Sequence, residues 1–226
     1  METADQDIWF LFCFVFGITL AIAFVMRILS TYFYTKDVVI KKFTILDIEI
    51  AASPKELVNL INGLYALPAD YSKKAVRALR ARMYLDFIFM PFAYGSIFLL
   101  CMRVLEKMQS ALGINTFGIL AFLQIISWLF DIIENIYILR KIHPAPVASS
   151  QRVHTWYLYM EAVKWGIILI GVVSCFASIA YFWLTGDYSH YSIVSVSIIF
   201  AEIIVFLILG RFIKAKSPNA PPEPVK

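Results

Sequence analysis

Five stretches of this chain are each apolar enough, and long enough in helical form, to cross a hydrocarbon core of about 30 Å. They run from about Ile8 to Tyr34, Met83 to Met102, Phe117 to Leu139, Trp156 to Leu184 and Ser192 to Ile213. The expected fold is therefore all-α: an integral membrane bundle of five transmembrane helices, with a short helical segment between the first two. The chain is 61% hydrophobic and 16% charged, with a mean hydropathy of +0.75. Those values exclude a water-soluble domain of this size. The first span is not read as a cleaved leader, because Glu2, Asp5 and Asp7 make its start acidic and no small-residue cleavage pattern follows Phe24 to Leu29.

The basic residues sit at the ends of the spans. Between spans one and two lie Lys36, Lys41, Lys42, Lys55, Lys73, Lys74, Arg77, Arg80 and Arg82. Arg140, Lys141 and Arg152 lie between spans three and four, and Arg211, Lys214, Lys216 and Lys226 lie at the end of span five and beyond it. The other side has Arg103 and Lys107. The positive-inside rule then expects a multi-pass protein of the cytoplasmic membrane, N-terminus outside and C-terminus cytoplasmic. The same placement explains the net charge of +4 without a nucleic-acid partner. The expected organisation is one membrane domain over residues 1–216, a cytoplasmic segment over 35–82, and a disordered Pro-rich tail over 217–226.

Within residues 35–82, Phe43 to Ile50 alternates weakly, as either a strand or a membrane-surface segment would. Ser53-Pro54-Lys55-Glu56 is a helix start, with Ser as N-cap, Pro in the first turn and Glu at the capping-box position. Leu57, Leu60, Ile61 and Leu64 then recur at helical spacing. A second helix is expected from near Ser72, running unbroken into span two. Cys13, Cys101 and Cys175 all fall inside spans and read as packing residues rather than ligands or a disulfide framework. His143 reads as a loop residue and His154 as an interfacial one, while His190, beside Asp187, has no evident partner set. Ala162 and Gly166 have the small-xxx-small spacing of close helix packing.

The strongest functional signal is charge where it is costly. A carboxylate or ammonium at the centre of a spanning helix costs about 2.5–3.5 kcal/mol on insertion scales. Asp86, Asp131, Glu134, Glu161, Lys164 and Glu202 all bear such a cost. Counted from the nearest basic or aromatic anchor at about 1.5 Å per residue, all six fall in the cytoplasmic half. Asp131 and Glu134 share a helix face with Asn135 beside them, and Glu161 and Lys164 are three apart on theirs. Asp86 and Tyr94 lie on one stripe. Pro91 between them deprives the carbonyl of Phe87 of its helical partner, which is expected to kink span two.

Together these are the parts of an internal polar pocket: Asp86, Tyr94, Asp131, Glu134, Asn135, Glu161 and Lys164. Carboxylates with an amide would suit a divalent cation, and the lack of a nearby buried histidine argues against zinc or non-haem iron. Carboxylates with a lysine also suit a proton or substrate relay. The bland reading is a set of buried ion pairs, Lys164 with Glu134 or Asp131, that fixes helix register. No Gly-rich phosphate loop, HExxH, GxSxG or histidine box is present.

The segment Leu46 to Glu56, Leu85-Asp86-Phe87 with Tyr94, Asp131-x-x-Glu134-Asn135 and Lys164 resemble a group of small multi-span bacterial membrane proteins of unknown function. The resemblance covers roughly residues 43–170. It implies that Glu49 joins Asp86, Tyr94, Asp131, Glu134, Asn135 and Lys164 in one constellation, and it supplies no reaction. The leading expectation is a cytoplasm-facing pocket that binds or moves a lipid head group or small polar ligand. The alternatives are an intramembrane enzyme acting on inner-leaflet lipid, with or without a metal, and a purely structural network. The partners implied are membrane lipids and a small polar ligand. Self-association stays open, and the sequence specifies neither cofactor nor metal.

Overall fold

The computed structural model of this chain describes residues 2–187 and 190–216. The tail expected over 217–226, the side chain of His190 and the acidic side chains at the N-terminus lie outside the described residues. Helix α1 spans Glu2–Leu29 and passes through a 3-10 turn, Ser30–Tyr32, into an antiparallel hairpin of β1 (Tyr34–Lys36) and β2 (Ile40–Lys42). Then come α2 (Ile45–Glu49), α3 (Pro54–Tyr65), α4 (Ala69–Lys107), α5 (Ala111–Lys141), α6 (Gln151–Leu184) and α7 (His190–Arg211). Five helices, α1 and α4 to α7, are long and apolar enough to cross a membrane. The chain is a multi-pass all-α membrane protein.

The spans follow the expected positions, with local differences at their ends. The first yields to the hairpin before Tyr34, and the last helix stops at Arg211 rather than Ile213. Helix α4 starts at Ala69, because Pro68 occupies its N-cap. It runs on past the carbonyl of Phe87 and through Pro91 without a break. At about 1.5 Å per residue it is nearly twice as long as a hydrocarbon core is thick. Its first turns therefore carry Lys73, Lys74, Arg77 and Arg80 outside the apolar zone. Ser110 and Ser150 cap α5 and α6 by accepting from the amides of Gly113 and Val153.

The segment between spans one and two is docked on the bundle. Leu57, Ile61 and Leu64 of α3 are fully buried, whereas Leu60 is only partly covered. They pack with Phe33, Phe43, Ile48, Leu79, Met83, Ile138 and Ile142 in an apolar cluster at one end of the bundle, here the hairpin end. The Ser53 hydroxyl accepts from the amide of Glu56, and the Glu56 carboxylate reaches back to the amide of Ala52. The weak alternation over Phe43 to Ile50 is not a strand. It forms α2, because the Asp47 carboxylate accepts from both the amide and the hydroxyl of Thr44, an i to i+3 helix-start device.

A second apolar cluster closes the opposite, far end, with Trp9, Phe12, Leu100, Cys101, Phe117, Leu120 and Cys175. Helix α4 packs chiefly on α5 and α1, α6 on α5, and α7 on α1. The α1–α7 contact is notched. A Cβ on Gly17 would lie 2.8 Å from an oxygen of Glu202, and one on Gly210 would lie 2.5 Å from the Arg27 guanidinium. Each helix thus makes room for the other's charged side chain. The Ala162–Gly166 spacing does not mark a helix contact: Ala162 is exposed and a Cβ on Gly166 would meet nothing within 4 Å. Gly171 is the glycine that does, its Cβ position lying 2.8 Å from the Gln124 amide.

Candidate functional site

The two apolar clusters leave a layer between them, and α4, α5 and α6 contribute polar groups there. On α4 the layer falls between Met83 and Leu100, on α5 between Ile138 and Ala121, and on α6 it lies on the hairpin-end side of Cys175. These are the stretches that carry Asp86 and Tyr94, Asp131 to Asn135, and Glu161 with Lys164. Asp131, Glu134, Glu161 and Lys164 meet because α5 and α6 are neighbours and each presents its pair at i, i+3 spacing.

Lys164 is the centre. Its ammonium donates to Asp131 Oδ1 at 2.7 Å and to Glu134 Oε2, and lies 2.7 Å from Glu161 Oε2. Lys164, Glu134 and Glu161 are each 2% exposed, so none is held by bulk water. Asp131 accepts on its other oxygen from the Tyr94 hydroxyl, and Asn135 donates its amide to Asp86 Oδ2 at 2.6 Å. Two rungs, Tyr94–Asp131 and Asn135–Asp86, thereby join α4 to α5. The ion pairs anticipated from spacing are present. A third carboxylate, Glu161, shares the same lysine.

The layer is not closed on every side. A cleft of ≈ 390 Å³ opens beside it, with Glu49, Arg82, Asp86, Tyr94, Asp131 and Lys164 at its polar end. Its other walls are apolar, among them Met26, Leu46, Phe89, Trp165 and Ile168. Glu49 reaches it from α2, which the docked segment lays across the hairpin end. Burial pushes the Glu49 carboxyl up to about 7, against the opposing pull of Lys164 and Arg82. Arg82 donates to Ser30 Oγ at 3.4 Å, while its Nε lies buried without a partner. Five carboxyl groups (Glu49, Asp86, Asp131, Glu134, Glu161) thus gather around two basic ones (Arg82, Lys164).

One expectation is corrected. A histidine is buried near the layer. His154 is 0% exposed, and its Nε2 pairs with the carbonyl of Ala51 at 2.8 Å, tying α6 to the α2–α3 turn. Polar groups also extend toward the far end, as Ser127 and Gln124 on the inner face of α5. Glu202 does not join the cluster; it lies against Gly17 in the α1–α7 contact. Cys101 and Cys175 are free thiols with sulfurs 3.4 Å apart. Among the described residues no three His, Cys, Asp or Glu side chains converge as a metal site.

Comparisons of the chain with protein-family models, with curated proteins and with solved structures give no match.

Proposed function

We propose that this is a protein of the cytoplasmic membrane whose cleft, facing the cytoplasm and the inner leaflet, binds or moves a lipid head group or small polar ligand. The observation that carries the reading is the two-sided character of the cleft. Apolar walls of the kind that accept an acyl chain lead to a polar end made by Asp86, Tyr94, Asp131 and Lys164. Ligand pockets combine mostly apolar walls with a few placed polar groups in this way.

The charge balance indicates the sign of the ligand. With all groups ionised, five carboxylates face two cations, a surplus that low-dielectric surroundings do not tolerate without bound protons or a cation. A head group bearing an ammonium supplies that charge, and the Arg82 guanidinium at the cleft suits a phosphate on the same head group. The enzyme reading has less support. Lys164 is tied by three carboxylates and is not a free nucleophile or base, and the carboxylates surround an ammonium rather than an open centre.

The test uses the purified chain in nanodiscs of phosphatidylethanolamine or of phosphatidylglycerol, followed by native mass spectrometry. Retained phosphatidylethanolamine should exceed phosphatidylglycerol, and Asp86→Asn should reduce it about tenfold, equivalent to about 1.4 kcal/mol. Equal retention of both lipids, unchanged by Asp86→Asn, would overturn the reading.

A further inference from the structure

Among the described residues, nine side chains have a buried nitrogen or oxygen with no hydrogen-bond partner. Six of them lie on α5 and α6: Gln124, Ser127, Glu134, His154, Tyr157 and Glu161. All six are at most 5% exposed. Buried polar atoms are nearly always satisfied, and a group of exceptions calls for a ligand or for internal water. These exceptions are ordered. On α5, Gln124, Ser127, Asp131 and Glu134 follow one another at three- and four-residue steps, and on α6 so do His154, Tyr157, Glu161 and Lys164. Such steps keep each set on one helix face.

The two stripes form one column. Gln124 lies against Gly171 of α6, where a Cβ would approach its amide nitrogen to 2.8 Å. From His154 to Gly171 is 17 residues of helix, or about 26 Å at 1.5 Å per residue. Most of a membrane core of about 30 Å is therefore crossed by buried polar groups within water-bridging distance of their helical neighbours. Beyond Gly171 comes the apolar layer of Cys101, Cys175, Phe117 and Leu120, about two helical turns thick. Past that layer lies a small pocket at the far end, with Arg103, Lys107 and Asp187 on its wall.

We propose that the α5–α6 seam is a proton path, in which water held by Gln124 and Ser127 connects Asp131 and the Lys164 cluster to the far end of the bundle, with the Cys101–Cys175 layer as its closure. The step is a proton passing along water and hydroxyl groups to a carboxylate, and no bond to carbon changes. Asp131 is the member of the cluster next to Ser127 on α5. It is faced by Tyr94 and Asp86 from α4, by Lys164 and Glu161 from α6, by Glu134 on its own helix, and across the cleft by Glu49 of α2 and Arg82 of α4. Hydrophobic constrictions close aqueous paths by excluding water. The path does not depend on the cleft holding a lipid.

The test is charge displacement after an acid step, recorded on oriented vesicles adsorbed to a solid-supported membrane. The wild-type chain should respond to acid from the far end and, through the cleft, from the hairpin end. Ser127→Val combined with Gln124→Leu should cut the far-end response at least tenfold and leave the hairpin-end response in place. The retained response shows in the same sample that the variant is folded, and Ser127→Ala alone should give a smaller loss of the same kind. Replacing Cys101 and Cys175 together by Ser should hydrate the layer and speed the far-end response several-fold. No far-end response in the wild type, or one indifferent to the Ser127 and Gln124 changes, would overturn the path. Failure of the lipid-retention test above would leave it untouched.

Discussion

A single ammonium cannot neutralise three carboxylates, and that imbalance decides what substitutions at Lys164 will do. Removing the lysine leaves Asp131, Glu134 and Glu161 crowded together at low exposure. Lys164→Met should therefore lower unfolding stability in detergent by about 3–5 kcal/mol, the usual cost of stranding a buried charge. Adding Glu134→Gln should recover part of that loss, since it removes one stranded carboxylate and leaves an amide that can still hydrogen-bond. Additive effects of the two changes would show that they do not interact. At this scale much of the site was readable. Charge in an apolar helix is costly enough to stand out, and i, i+3 spacing fixed which groups shared a face. Ser127 and Gln124 escaped notice because neutral polar residues carry too little insertion cost to mark a helix. The burial of His154 depended on a segment distant in sequence, whose docking no local pattern announces.

At the scale of elements, the docked α2–α3 segment is where sequence patterns were most and least informative. The start of α3 was legible because Ser53, Pro54 and Glu56 each act locally. The hairpin was not, because β1 and β2 have only three residues each and derive their stability from packing on α3. Thr35 Oγ1 donates to the carbonyl of Leu60, and Phe33 stacks on Phe43. Ser53→Ala should cost about 1 kcal/mol, the worth of an N-cap, whereas Ile61→Asp should undock the segment altogether. Proteolysis of residues 35–68 under native conditions would report both. Two equally small effects would mean that the segment is a loose tether.

The docking of α2 should also respond to pH through Glu49. Its carboxyl, at about 7 in the folded chain against an ordinary 4.5, binds its proton more tightly when folded than when unfolded. The stability this supplies is complete below about pH 4.5 and is lost as pH rises through about 7. The melting temperature in detergent should therefore rise on acidification from about pH 7.5 to about pH 5.5, and Glu49→Gln should flatten that rise. An identical slope in the variant would assign the response to other carboxyls.

At the scale of the molecule, five spans were legible because a hydrocarbon core demands a minimum apolar length of every helix that crosses it. The order of packing was not, since apolar faces in lipid carry no pattern that says which neighbour they meet. Orientation can be tested directly. In a background lacking Cys13, Cys101 and Cys175, a cysteine at Gln109 should react with an impermeant reagent from outside intact cells. Cysteines at Val38 and Ala148 should react only after lysis. The opposite pattern would invert the proposed cytoplasmic opening of the cleft.

The two notches between α1 and α7 bear on how this membrane protein is made. Helices α1 and α7 run parallel, with the whole of α2 to α6 between them in the chain, and α7 leaves the ribosome only after the other six. Until it does, the side of α1 marked by Gly17 has no helix of its own chain to receive, and Arg27 lacks the recess at Gly210. The bundle therefore cannot be completed in order of synthesis, each new helix sealing the one before. It is closed like a clasp, its late helix fastening on its first, and the insertion machinery must leave that edge of α1 accessible until the clasp arrives.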